Sequence, residues 1–363
     1  MLKVLLIGPL PEPTTGVSLA NKVVFESFKK TEGYQIDFIN TSLDRFDESL
    51  GALSLYKIWF YLKLNFFAYK IFTSKIIYLT PGQTFFGVVK YSLFIHLSKL
   101  LRKEIIIHVH GNHLGEEYKT LSGIKKKIFK NLLKHTSKGV VLSESLKGNM
   151  SPFIEQKKIH VLYNFVEDHL YNIEENTVNE KLKLLKPKII FLSNLMQEKG
   201  VFELLDSLKI LEKSNFDYEA KVAGNIDKDS AQRINSYFKE LKNTAYIGVV
   251  SGDEKRNLLS WGNVFILPTY YKMEGQPISI LEAMATGNII ITTNHAGIPD
   301  IFSNKKNGFF VRKNDSQHIV DVLMHIVENK ETSQKIILEN INEAKEKYRV
   351  SHFIESIKAI FEA

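Results

Sequence analysis

The chain has no cysteine. That excludes disulfides, cysteine–zinc sites and thiol catalysis, and it fits a reducing compartment. No apolar run reaches the ~18 residues that a membrane-spanning helix needs. The opening, Met1-Leu2-Lys3-Val4-Leu5-Leu6-Ile7-Gly8, is too short for a signal peptide and reads as a first strand. The loop after it lacks the dinucleotide fingerprint G-x-G-x-x-G, so no dinucleotide site is indicated. Acid is scarce across 51–138, where 15 Lys and Arg stand against 3 Asp and Glu, a net charge of +12. Residues 186–363 hold 23 of each sign. A basic first half beside a neutral second half points to an anionic partner for the first half alone. What is present is an ordinary globular composition, 44% hydrophobic and 24% charged, over 363 residues, enough for two domains.

Strand signals recur along the chain at 34–39, 75–79, 104–109, 139–144 and 159–164, and again from Lys188-Ile189-Ile190-Phe191-Leu192. The loop Gly8–Gly16 carries three prolines, which forbid helix there, and a helix is expected from about Ser18 to Lys30. Strand, glycine-containing loop and helix is the opening of a Rossmann-like unit. Residues Leu55–Lys70 interleave Tyr56, Trp59, Phe60, Tyr61, Phe66, Phe67 and Tyr69 with Lys57, Lys63 and Lys70. In Ile124–Lys138 the spacing puts Ile124, Ile128 and Leu132 on one core-facing stripe, with lysines on the other faces. His108 and His110 share a strand face, but no carboxylate completes a metal set with His113. Residues 167–186 are polar and weakly patterned and read as an interdomain linker.

The most informative stretch is Glu274–Gly287, E-G-Q-P-I-S-I-L-E-A-M-A-T-G. It follows the apolar strand Val264-Phe265-Ile266-Leu267. Pro277 suits a helix's first turn and Gly287 the residue past its end. Ile278, Glu282 and Ala285 then share one face of a largely apolar helix, where a carboxylate must be paired or hydrogen-bonded. Gly275-Gln276 sit at the helix N-terminus, where free N–H groups favour an anion. Two carboxylates flanking an anion site suit a phosphate between two hydroxyl-bearing groups, as in a sugar nucleotide.

The spacing of Glu274 and Glu282 within E-G-x-P-x-x-x-L-E-A-M-A-x-G resembles the signature of glycosyltransferase family 4. Further similarity lies in Ser193–Gly200, where Lys199 matches the family's lysine and Asn194 replaces its arginine. It extends to Tyr163-Asn164-Phe165-Val166, Tyr246–Val250, Asn294–Asp300 and Asn307–Val311. It is strongest from Lys188 to Val311 and weak across 40–100. The resemblance implies an α/β GT-B fold, with two Rossmann-like domains facing each other across a cleft. The expected domains are an acceptor domain, 1–168, and a nucleotide-sugar domain, 183–347, with a last helix, about 348–363, packing back on the first.

The resemblance also implies retaining transfer of a sugar from a nucleotide diphosphate, UDP by family habit, to a hydroxyl of a glycan or lipid-linked acceptor, as in bacterial surface polysaccharide synthesis. Glu274, His110 and Lys199 are then the catalytic candidates. Gly16, Asn194, Lys199, Glu274, Gly275, Gln276, Pro277, Ile278, Ser279 and Glu282 are the donor-binding ones, with Glu282 on the ribose diol. The leaving phosphate takes the acceptor proton. No cofactor or metal is expected, and Asp227-Lys228-Asp229 reads as surface acid. The expected partners are the donor, the acceptor and an anionic membrane surface met by residues 51–138, with no nucleic acid. The expected place is the cytoplasmic face of the membrane, held peripherally. The rivals are a nucleotide-sugar epimerase of the same fold and a non-catalytic glycan- or membrane-binding member.

Overall fold

A computed structural model of the protein describes residues 1–43, 55–183 and 186–363. The side chains of 55–58, including Tyr56 and Lys57, lie outside the described residues, as do residues 51–54 of the basic span and 184–185 of the expected linker. The chain forms two compact units. The first comprises Met1–Asn164, Met273–Gln276 and Phe353–Ala363, the second Phe165–Lys272 and Pro277–His352.

The first unit holds a parallel sheet of β1 (Leu2–Gly8), β2 (Tyr34–Asn40), β3 (Ile76–Leu79), β4 (Glu104–Val109), β5 (Lys138–Val141) and β6 (Ile159–Val161), in the order β2-β1-β3-β4-β5-β6. The central strands are continuous apolar runs because both faces are covered. Leu5, Ile7, Ile77, Leu79, Ile105 and Ile107, all odd-numbered, form one face and pack into a core with residues of the helices between β2 and β5. The other face receives α1 (Gly16–Lys30) and the end of the C-terminal helix. Phe361 lies 5.1 Å from Phe28 and 5.6 Å from Tyr78, and Tyr34 donates to Glu362 at 2.5 Å. A capping box starts α1: the Thr15 hydroxyl accepts from the Ser18 N–H, and the Thr15 N–H donates to the Ser18 hydroxyl.

The aromatic stretch contains α2 (Leu55–Leu64), and α3 (Ser92–Leu100) lies further along. In α4 (Gly123–Leu133) the expected stripe is rotated. Ile124 is 74% and Ile128 40% exposed, while Phe129, Leu132 and Leu133 are buried. The large ring decides the phase, since Phe129 stacks on both Phe85 and Tyr118.

The second unit holds β7 (Lys188–Leu192), β8 (Glu219–Ala223), β9 (Thr244–Tyr246), β10 (Val264–Leu267), β11 (Ile289–Thr293) and β12 (Gly308–Val311). They are again all parallel, in the order β12-β11-β10-β7-β8-β9. The order reverses between β7 and β10, and in open α/β sheets ligands bind outside the carboxyl ends of the strands at such a point. Residues 167–183, expected as a connector, belong to this unit. Leu170 and Tyr171 enter its core, and buried Lys181 on the helix Glu175–Lys183 donates to the carbonyls of Leu259 and Thr286. The apolar residues of the stretch, Leu170, Tyr171, Ile173, Val178 and Leu182, are too scattered among polar ones to show as a strong pattern.

Candidate active site

In the second unit, the loop after β7 lies against the loop after β10. The Tyr270 N–H donates to the Glu198 carbonyl at 2.8 Å. Gly200, at φ +82°, caps the turn, and a Cβ there would stand 2.5 Å from Pro268 Cγ and 2.6 Å from its carbonyl oxygen. Only glycine permits that approach. The turn holds Lys199 half-buried, its ammonium 5.0 Å over the Tyr271 ring. Asn194, at the other end of the loop, is exposed. Gly224, opposite, is equally constrained: a Cβ would collide with the Ser193 carbonyl.

Three helices of this unit bear on the site: α5 (Val201–Lys213), which follows Gly200, α6 (Gly252–Trp261) and α7 (Ile278–Ala285). Pro277 occupies the N-cap of α7, and no side chain caps its N-terminus, so the end presents its positive pole at Ile278 and half-buried Ser279. Glu282, 3% exposed, is paired with Lys255 of α6, whose ammonium lies 2.5 Å from Glu282 Oε1 and 2.9 Å from Glu167 Oε2. Burial alone would lower the Lys255 pKa. The two carboxylates outweigh it and raise it, so the lysine is charged at neutral pH. Sequence reading demanded a partner for Glu282 but did not find Lys255. The charged run Asp253-Glu254-Lys255-Arg256 looks like a solvated face.

In the first unit, Met273–Gln276 is pinned at several points. Gln83 donates to the Met273 carbonyl at 3.3 Å and accepts from the His113 N–H at 2.6 Å. Gln276 accepts from the Asn164 N–H at 2.6 Å and donates to the Leu142 carbonyl at 3.1 Å, while Asn164 Nδ2 donates to the Gln276 carbonyl at 2.8 Å. The Gln276 side chain is therefore spent on holding the loop. A Cβ on Gly275 would meet the His110 carbonyl at 2.6 Å and Gly111 Cα at 3.0 Å. Glu274 is thus held beside the end of β4, 7% exposed.

His110 lies against His108, ring centres 3.8 Å apart and planes tilted by 39°, and His108 Nδ1 is hydrogen-bonded to the Tyr78 hydroxyl at 2.6 Å. Burial pushes the His110 pKa down to about 3, so the ring is neutral. Its Nε2 is buried without a protein partner among the described residues. A neutral imidazole with an uncommitted nitrogen can orient a hydroxyl. His113 lies near Glu117 at 3.5 Å. Gly16 is exposed at the start of α1, and Asp227 and Asp229 are exposed on their loop. The fold thus brings His110 together with Glu274–Gln276 in one unit, and collects Lys199, Ile278, Ser279 and Glu282 in the other.

Residues 172–343 match the family model described as glycosyl transferases group 1. The chain is 25% identical over 206 residues to the capsular polysaccharide biosynthesis glycosyltransferase CapM of Staphylococcus aureus, covering 54% of each. It is 21% identical over 188 residues to the amylovoran biosynthesis glycosyltransferase AmsK of Erwinia amylovora, covering 50% of this chain and 45% of AmsK. These alignments span about half the length of both relatives. Among solved structures, HepE from Anabaena in complex with UDP and glucose superposes with a TM-score of 0.75 over 100% of both chains, at 14% identity. Residues 172–343 thus resemble the glycosyl transferases group 1, and the two six-stranded parallel units have the GT-B fold.

Proposed function

We propose that the protein is a retaining, family 4-like glycosyltransferase that moves a sugar from a nucleotide diphosphate, UDP in the first instance, to a hydroxyl of a glycan or lipid-linked acceptor in surface polysaccharide synthesis. The observation that carries this reading is the strand reversal in the second unit. There a lysine-bearing turn and an uncapped helix N-terminus accompany a buried carboxylate held by a half-buried lysine. That set suits a diphosphate joined to a ribose. The N–H groups at the start of α7 and Lys199 stabilise charge growing on the leaving diphosphate, where preorganised donors contribute most. Glu282 accepts from the ribose diol. Glu274 holds hydroxyls of the donor sugar, and neutral His110 orients the sugar or the acceptor. The acceptor proton passes to the leaving phosphate, with no metal. The names of CapM and AmsK and the UDP bound by HepE support this assignment.

The acceptor is proposed to be met at the cytoplasmic membrane surface. No described helix is long and apolar enough to cross a membrane. Yet of the 18 large hydrophobic side chains exposed among the described residues, 11 fall between Trp59 and Ile128, within the basic span. Lysines lie over exposed aromatics of that span, Lys63 over Trp59 at 5.2 Å and Lys70 over Phe67 at 6.0 Å. Aromatic side chains with interleaved cations suit the headgroup–acyl boundary, and each basic residue near an anionic leaflet contributes about 1 kcal/mol.

The test is a panel of nucleotide sugars with lipid-linked and free glycans, read as nucleoside diphosphate release and as the anomeric configuration of the product. Release with retention is expected. Interconversion of the nucleotide sugar without release would mark an epimerase, and silence across the panel would remove the catalytic reading.

A further inference from the structure

The opposite end of the first sheet carries a feature that the transfer reaction does not use. Three lysines stand in register just where β1, β3 and β4 begin. The Lys75 N–H donates to the Lys3 carbonyl at 2.8 Å and the Glu104 N–H to the Lys75 carbonyl at 3.1 Å, which extends the ladder by one row. With Val4 opposite Ile76 and Ile76 opposite Glu104, the preceding row is Lys3, Lys75 and Lys103. Neighbouring strands are about 4.8 Å apart, so three ammonium-bearing side chains leave adjacent strands side by side. All three are odd-numbered and continue the face of Leu5, Ile77 and Ile105, on which the aromatic-rich helical layer packs.

Like charges placed side by side repel, and little on the lip offsets them. Lys3, Lys75, Arg102, Lys103, Ser74 and Glu104 line a cavity of about 490 Å³. Glu104 is its only acid, and that carboxylate lies 2.6 Å from Lys138. Lys103 donates to the Phe72 carbonyl at 2.9 Å. Lys3, Lys75 and Arg102 are exposed and make no ion pair among the described residues. Met1, 83% exposed, and Leu101 also line the cavity, and the residues next to Thr73 and Leu101 in the chain, Phe72 and Leu100, are 60% and 77% exposed. A basic notch bordered by projecting apolar side chains matches an anionic headgroup above its acyl chains.

We propose that this lip is a headgroup site for an anionic phospholipid, with Lys3, Lys75 and Arg102 on the phosphate oxygens and Phe72 and Leu100 in the acyl boundary. It rests on the membrane part of the proposed function and narrows a diffuse basic span to one phosphate-binding notch.

The test compares two charge-matched variants of the full chain. Lys3→Gln/Lys75→Gln/Arg102→Gln removes three positive charges at the lip, and Lys125→Gln/Lys127→Gln/Lys130→Gln removes three on α4. Partition is measured onto phosphatidylcholine vesicles with and without phosphatidylglycerol. Circular dichroism checks that both variants fold. In parallel, a short-chain phosphatidylglycerol below its micellar concentration is tested for protection of Lys3 and Lys75 against amine acetylation, with Lys125 as the internal reference. The expected results are at least a tenfold larger loss of partition for the lip variant and selective protection of Lys3 and Lys75. Equal losses with no protection would overturn the site while leaving the membrane reading intact. Protection without vesicle binding by the wild type would remove the membrane reading and keep the headgroup site. Absence of both would refute both.

Discussion

Replacing Lys255 by methionine tests the donor site where its electrostatics are most concentrated. The ammonium lies 2.5 Å from Glu282 and 2.9 Å from Glu167, and the Lys255 and Glu282 side chains are 12% and 4% exposed. At an effective dielectric constant of about 20, each contact has a gross attraction of about 6 kcal/mol, most of it cancelled by desolvation. Removing one partner is a different matter, because the charge left behind stays buried. That costs about 3–5 kcal/mol, and the lower end applies because Glu167, 29% exposed, can turn to water. A loss of about 3 kcal/mol in urea denaturation is therefore expected. Lys255→Met/Glu282→Gln should recover at least about 1 kcal/mol of it, since the orphaned charge is gone.

Donor affinity should fall as well. An unpaired Glu282 is no longer held in place, and the ribose loses a charge-assisted hydrogen bond of about 1.5–3 kcal/mol, roughly a 10- to 150-fold rise in Kd. Calorimetry of UDP binding reads this directly. The Lys255 pKa is raised, so its contribution is complete below the unfolded value of 10.5 and fades only as pH climbs through the higher folded value. Assays at neutral pH thus see all of it. UDP affinity within twofold of wild type, alongside the expected loss of stability, would show that the Glu167–Lys255–Glu282 cluster is structural and that the ribose binds elsewhere.

Gly275→Ala should lower kcat by about tenfold or more, because backbone atoms of His110 and Gly111 cannot yield to the new methyl and the Glu274 loop must shift. Wild-type turnover in that variant would dissociate the loop from the chemistry. Burial holds His110 at about 3 and also lowers His108, so both histidines take up protons only on unfolding once pH drops below about 6.5. Stability should then fall toward acid by about 1.4 kcal/mol per pH unit per histidine. His110→Asn should flatten that slope between about pH 6.5 and 5 in a series of urea midpoints, and an unchanged slope would contradict the burial argument. Turnover is expected to persist in EDTA; its loss on chelation and return with Mn²⁺ would bring a metal into the mechanism.

What the sequence discloses and what it withholds differ in kind. The central strands of both units are legible because parallel strands covered on both faces are bare apolar runs, as in Ile289–Thr293, whereas the mostly exposed edge strand Thr244–Tyr246 shows no such run. The bounds of α7 follow from Pro277 and Gly287, which act on their own helix. The phase of α4 was missed because spacing alone weighs Ile124 and Phe129 equally, whereas packing does not. The Tyr78–His108 bond joins neighbouring strands and leaves no local trace.

Lys255 is a subtler case, since topology could have found it. The order β12-β11-β10-β7-β8-β9 means that the chain steps one way from β7 to β9, then back to β10 and onward to β12. Parallel crossovers are almost always right-handed. The connections β9–β10 and β10–β11 step in the same direction, so their helices, α6 and α7, lie on one face of the sheet. A buried acid on α7 therefore has α6 as its natural source of a cation, and the basic residues of α6 are only Lys255 and Arg256. Arg256 pairs with Asp253, one turn away on the same helix. Lys255 is left facing Glu282. Handedness is what brings α6 to the same face of the sheet as α7 and so puts Lys255 among the cations within reach of Glu282.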